Sequence, residues 1–141
     1  NTLQIERATI LAYLDLLEQT FIIKRITPFH KNLRSELSKN PKVFFLDMGM
    51  MHLLWLKDFP KVILGNVFET FVFTELLRLH HPIHFWRTTN KQEIDFIVSG
   101  KKLYAVEVKL NFQKLDNRTL KFFAENYSCE MVTAGLKGDK E

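Results

Sequence analysis

The side chains of one short run whose types and spacing could do chemistry together are Asp95, Glu107 and Lys109. They fall in the run EIDFIVSGKKLYAVEVK, which alternates like two half-buried strands joined by the polar turn SGKK. In the first strand Ile94, Phe96 and Val98 share one face, and Glu93, Asp95 and Ile97 the other. In the second, Tyr104, Val106 and Val108 lie opposite to Ala105, Glu107 and Lys109. A three-residue loop, Gly100-Lys101-Lys102, would pair Ser99 with Leu103, Ile97 with Ala105, Asp95 with Glu107 and Glu93 with Lys109. That register keeps both acidic faces on one side of the sheet, whereas a two-residue loop would separate them. Opposed Cβ atoms lie about 4.5–5.5 Å apart, where like charges destabilise. A divalent cation between Asp95 and Glu107 would turn that repulsion into ligation.

The elements that must position this hairpin follow from the flanking sequence. Val62 to about His80 has the pattern of a long helix, apolar nearly all round and therefore deeply buried. Glu69 projects into its apolar arc, between Val72 and Phe73, while Glu75 lies nearer the edge. A carboxylate there is costly unless it is paired, with Lys109 or Arg87, or ligates a metal. Ile83–Thr88 has strand character after Pro82, and TTNKQ is a turn. Leu115–Asn126 has helical spacing, and Cys129–Thr133 is a short last strand.

Upstream, Ile5–Gln19 has an amphipathic helical pattern with Ile10, Leu11, Leu14 and Leu17. Strands are expected over Phe21–Thr27 and Val43–Asp47, and a short helix over Asp47–Phe59 that Asp47 can cap. Between Phe21 and Phe45 the bases Lys24, Arg25, Lys31, Arg34, Lys39 and Lys42 face a single acid, Glu36. These six are the candidate nucleic-acid contacts. They are equally the surface lysines and arginines of a solvated hairpin.

The Asp95…Glu107-x-Lys109 spacing resembles the PD-(D/E)XK nuclease superfamily, although no proline precedes the acid here. The order helix, three strands, helix, strand matches that superfamily's core. Helix, strand, basic loop, strand upstream resembles the latter half of a winged helix. The runs YLDLLEQTFIIKRITPF, PKVFFLDMGM, GNVFETFVFTEL, EIDFIV and AVEVK together resemble a bacterial and archaeal family of unknown function. In that family a winged-helix remnant and a nuclease-like domain follow an AAA-type ATPase module.

The resemblance implies an α/β (α+β) chain with a restriction endonuclease-like αβββαβ core. It implies a partial winged helix over residues 1–47, a helix plus a β-hairpin wing, and a nuclease-like domain over residues 48–141. It implies catalytic roles for Glu69, Asp95, Glu107 and Lys109. Mg²⁺ or Mn²⁺ would be held by Asp95, Glu107 and the Val108 carbonyl, with Glu69 acting through water or taking up a proton. Lys109 would orient the attacking water or neutralise the scissile phosphate. DNA and an N-terminal ATPase module of the intact protein are the implied partners. Two functions stay open: metal-dependent DNA hydrolysis, and a silent nucleic-acid- or protein-binding module of the ATPase. A Glu93–Lys109 cross-strand ion pair would favour the second by occupying the lysine.

Length and composition set the remaining bounds. A chain of 141 residues, 46% hydrophobic and 13% aromatic, can fill the core of one ordinary domain. The net charge of +4, with a pI near 9.2, tolerates a polyanion without demanding one. Cys129 stands alone, so there is no disulfide framework, and a reducing, cytoplasmic setting is expected. No apolar run is long enough to span a bilayer, and no Gly-rich loop offers this chain an ATP site. Opening on Asn1, it has the look of a fragment of a longer protein. Two of His80, His81 and His84 could bind a metal, but with no third ligand at usable spacing they suit a polar junction better. Ser128 and Cys129 have no base partner for nucleophilic catalysis.

Overall fold

The computed structural model describes residues 5–29, 40–57, 59, 63–88, 92–111 and 118–137. Helix α1 (Arg7–Gln19) leads into a two-stranded antiparallel sheet of β1 (Ile23–Ile26) and β2 (Lys42–Phe45). The short helix α2 (Met48–Met50) follows, and Asp47 caps it by accepting the Met50 N–H at 2.7 Å. The chain then widens into a π-helical stretch, Met51–Leu56, which Lys57 ends in the left-handed region at φ 52°. The second half runs α3 (Gly65–Leu77), β3 (Ile83–Arg87), β4 (Glu93–Ser99), β5 (Leu103–Asn111), α4 (Arg118–Tyr127) and β6 (Glu130–Lys137). The expected order of helix, three strands, helix and strand is therefore present.

Strands β3, β4, β5 and β6 form one sheet in that order. The first three are antiparallel neighbours, and β6 joins β5 in parallel after the α4 crossover. Ser99 pairs with Leu103 and Ile97 with Ala105, the register that a three-residue loop requires. Two apolar cores cover the two faces. On one, α3 brings Phe68, Val72 and Phe73 onto Phe96, Val98 and Val106. On the other, Leu120 and Phe123 of α4 pack against Trp86, Ile94, Ile97 and Ala105. The β1–β2 hairpin joins the first core through Ile26 and Phe44, and the Phe44 ring stacks on Phe73 at 4.4 Å. The segment just after β1, Thr27 to Phe29, lies along β3, where the Phe29 N–H donates to the Phe85 carbonyl at 2.6 Å. That contact covers what would otherwise be an open sheet edge.

Three expectations need correction. First, Ile94 does not share a face with Phe96 and Val98. From His84 to Trp86 β3 advances two residues, while β4 covers three, Ile97 to Ile94, so β4 carries a bulge at Asp95–Phe96. The extra residue turns Ile94 onto the α4 side and Glu93 away from it. Second, α3 is not buried all round: Phe71 is 47% exposed, because the sheet covers only one side of the helix. Third, most of the helix expected over Asp47–Phe59 has π geometry, which residue periodicity does not distinguish from an ordinary helix.

At the start of the chain no α1 residue is buried. Helix α1 is held to the hairpin by charge instead: Arg25 bridges Asp15 and Glu18, each at 2.6 Å, and Lys24 reaches Glu18 at 2.9 Å. Burial pushes the Glu18 carboxyl up, but its hydrogen bonds from Lys24 and Arg25 prevail and hold it at about 2.

Candidate functional site

The bulge sits where the chemistry was expected. Freed from regular pairing, the Asp95 side chain turns to the neighbouring strand and accepts the Val108 N–H at 2.8 Å. Glu107 and Lys109, on either side of Val108, form an ion pair at 2.5 Å. Helix α3 presents Glu69 to the same region, and β2 supplies Lys42, whose Nζ lies 3.2 Å from Glu69 and 2.6 Å from Glu93. Arg87 of β3 closes the group, 2.6 Å from Glu93. Glu69, Glu93, Asp95 and Glu107 thus meet Lys42, Arg87 and Lys109 at the end of the sheet that α3 and the hairpin overhang.

The four carboxyls differ electrostatically. Burial pushes all of them up, but Lys42 and Arg87 overcome it at Glu93 and hold that carboxyl below its ordinary value. At Asp95 burial prevails over the Val108 hydrogen bond and the Lys42 and Lys109 charges, and the pKa rises. At Glu107 burial and the Asp95 charge outweigh the Lys109 pairing. At Glu69 burial, with Asp95 and Glu93 nearby, outweighs Lys42, which is shared with Glu93. Lys42 and Lys109 lose solvent too, yet their acidic neighbours raise both pKa values. At these three acids desolvation outweighs the partners and disfavours the charged form, a perturbation of the kind that clusters at functional sites.

An all-oxygen donor set of Asp95, Glu107 and Glu69 suits a hard divalent cation such as Mg²⁺ or Mn²⁺. Among the described residues, however, no three His, Cys, Asp or Glu side chains converge closely enough to form a ready cage. Glu107 is engaged by Lys109, and Glu69 by Lys42.

The expected cross-strand pair of Glu93 with Lys109 is absent: the bulge turns Glu93 to Lys42 and Arg87 and leaves Lys109 to Glu107. Glu69 pairs with neither Lys109 nor Arg87 but with Lys42. Of the candidate nucleic-acid contacts, Lys31, Arg34 and Lys39 lie outside the described residues. Lys24 and Arg25 face the acids of α1, and Lys42 faces the carboxylate cluster. Arg87 and Glu93 are cluster members that sequence reasoning did not assign to the site, and Lys42, expected as a nucleic-acid contact, was not expected among the carboxylates. No local spacing announces Lys42, because it meets Glu93 only after the hairpin folds over α3. Elsewhere, His84 Nδ1 lies 3.2 Å from the Thr27 hydroxyl, and burial pushes the Cys129 thiol up.

These features define a mixed α/β domain with a partly buried carboxylate–lysine cluster at one end of its sheet. The chain belongs to the family described as domain of unknown function DUF4143, whose model matches residues 64–137. A second domain of unknown function, DUF8612, matches residues 1–61. An uncharacterised protein of Mycobacterium tuberculosis is 31% identical over 120 residues, covering 77% of this chain and 26% of its own length. An uncharacterised protein of Haemophilus influenzae is 33% identical over 144 residues, covering 94% of this chain and 34% of its own length. The chain thus spans about a quarter to a third of these curated relatives. No solved structure gives a significant match. Among the described residues no helix is long and apolar enough to cross a membrane.

Proposed function

We propose that this chain is the nuclease-like part of a larger ATPase-containing protein and hydrolyses DNA phosphodiesters with Mg²⁺ or Mn²⁺. Kinship with the PD-(D/E)XK enzymes, a winged-helix origin for the N-terminal elements and linkage to an N-terminal AAA-type module all belong to this proposal. The observation that carries it is the bulged β4–β5 hairpin. It gathers Asp95, Glu107 and Lys109 beside Glu69 of α3, with the three carboxyl pKa values raised in concert.

Asp95, Glu107 and the Val108 carbonyl would hold the metal, and Glu69 would act through water. A bound divalent cation supplies Lewis acidity and a more acidic water. Lys109 keeps its proton next to Glu107 and Asp95, so it can orient a water or neutralise a phosphate oxygen without acting as a base. Burial of Asp95 and Glu69 limits competition from bulk solvent.

The test is cleavage of linear, nicked and single-stranded DNA with Mn²⁺ or Mg²⁺. Wild type is expected to cut at least one form. Asp95→Asn and Lys109→Ala are expected to lose that activity while melting cooperatively. Equal cleavage by all three proteins would assign the activity to a contaminant and remove the hydrolytic reading. The Lys109–Glu107 pair favours a second reading, a domain that binds DNA or a protein without cutting it. In that case DNA binds equally to wild type and Asp95→Asn, and neither protein cuts.

A further inference from the structure

Beside the carboxylate cluster lies a cleft of about 370 Å³ between β2, the π-helical stretch and α3. Its two sides differ in chemistry. Phe45, Met51 and Trp55 form one, while Asn66, Glu69 and the Lys42–Glu93 pair lie along the other. Trp55 is 62% exposed, and the Phe45 ring meets it edge-on at 6.0 Å. The other tryptophan, Trp86, is only 5% exposed within the α4 core. An indole left open on one side of a cleft is a stacking surface, and its neighbour Phe45 props it from the side. The π-helical stretch that carries Trp55 is itself an uncommon geometry, frequent at functional sites.

From this lining we infer that the cleft is a nucleobase subsite, in which one base of a DNA strand stacks on Trp55. The inference rests on the DNA-hydrolysis reading and adds to it the place where the strand is gripped. A bare ion would leave the indole unused, and an aliphatic ligand would leave the polar side without partners. A flat heteroaromatic ring with a hydrogen-bonding edge uses both sides. Its face lies on Trp55, while its edge meets Asn66 and the charged groups. The volume falls in the range of small-ligand sites. Glu69 and Glu93 belong both to this cleft and to the cluster, so a base held here brings its own phosphate towards Asp95, Glu107 and Lys109.

The experiment compares a dye-labelled single-stranded deoxyoligonucleotide with an abasic strand of the same length, both in EDTA. Binding is followed by anisotropy of the dye and by indole fluorescence. Wild type is expected to bind the base-bearing strand more tightly and to lose indole emission on binding. Trp55→Ala should weaken that strand about tenfold or more, the size of one lost base–aromatic stack. The same variant should leave the abasic strand's affinity unchanged, and Trp55→Phe should recover most of the loss. Melting curves check that the exposed position tolerates both changes. Equal affinity of wild type and Trp55→Ala for the base-bearing strand would overturn the subsite while leaving the DNA reading in place. Failure of wild type to bind either strand would overturn the subsite, while the hydrolytic reading stands or falls separately on cleavage with Mn²⁺.

Discussion

Glu93 and Asp95 are two residues apart, yet their carboxyls shift in opposite directions from their ordinary values. The difference lies in their partners. Glu93 receives Lys42 and Arg87 directly, whereas Asp95 receives the Val108 N–H and only the more distant charge of Lys42 and Lys109. Ionised Asp95 is therefore less comfortable in the folded chain than in the unfolded one, and removing its charge should help folding. Asp95→Asn keeps shape and can still accept the Val108 hydrogen bond, so it is expected to raise stability by about 1 kcal/mol, the scale of a cross-strand charge term. In EDTA its melting temperature should exceed that of wild type, and its further rise on adding Mn²⁺ should be smaller. A variant that melts lower in EDTA and still gains the full Mn²⁺ shift would make Asp95 an ordinary structural acid. At this scale the sequence was informative about Asp95, Glu107, Lys109 and Glu69, because residue type and strand spacing are local. It offered Lys42 only as a nucleic-acid contact and gave no sign of its partners, which lie on α3 and β4 and are met only after folding.

Among the elements, α1 shows most openly a cost that this chain does not offset by itself. The helix ends in a Schellman motif: Ile22 N–H donates to the Leu17 carbonyl at 3.0 Å, and Phe21 N–H to the Glu18 carbonyl at 3.2 Å. The motif needs a left-handed residue, normally glycine, and Phe21 occupies that place at φ 57° while 79% exposed. A bulky residue there costs about 1–2 kcal/mol, and its exposed ring recovers little by packing. Phe21→Gly should therefore stabilise the isolated chain by about 1 kcal/mol, a rise of roughly 3 °C in melting temperature. A lower melting temperature would mean that the Phe21 ring contributes more than its exposure indicates. Helices and strands were largely legible because alternation and helical spacing are written in nearest neighbours. The β4 bulge and the π geometry of Met51–Leu56 were not. Each changes backbone path by one residue, and EIDFIV or MHLLWL fits the regular form as well as the irregular one.

Across the whole molecule, the two matched families divide the chain between residues 61 and 64, yet the fold does not separate there. Ile26 and Phe44 from the first segment share a core with Phe73 and Phe96 from the second. Lys42 adds a polar tie to that apolar one, reaching from the hairpin to Glu69 on α3 and Glu93 on β4. Its side chain is 21% exposed and those of the two acids 27% and 29%, so the triad is neither a surface pair nor a fully buried one. Removing the lysine alone leaves two partly buried carboxylates without their common partner. A fully buried pair broken this way costs about 3–5 kcal/mol, and partial exposure reduces that to about 2 kcal/mol for Lys42→Met. Glu69→Gln should behave differently. Burial already disfavours its charge, and Lys42 retains Glu93, so the change should be close to neutral or mildly stabilising. The double variant should then melt above Lys42→Met, because Glu93 keeps Arg87 and the charge at Glu69 is gone. Urea or thermal unfolding of the four proteins closes a double-mutant cycle, with a coupling of at least 0.5 kcal/mol expected, as roughly the minimum for residues in contact. Strict additivity would mean that Lys42 does not hold the hairpin to α3 through Glu69, leaving the Lys42–Glu93 pair and the apolar contacts of Ile26 and Phe44 to carry the junction.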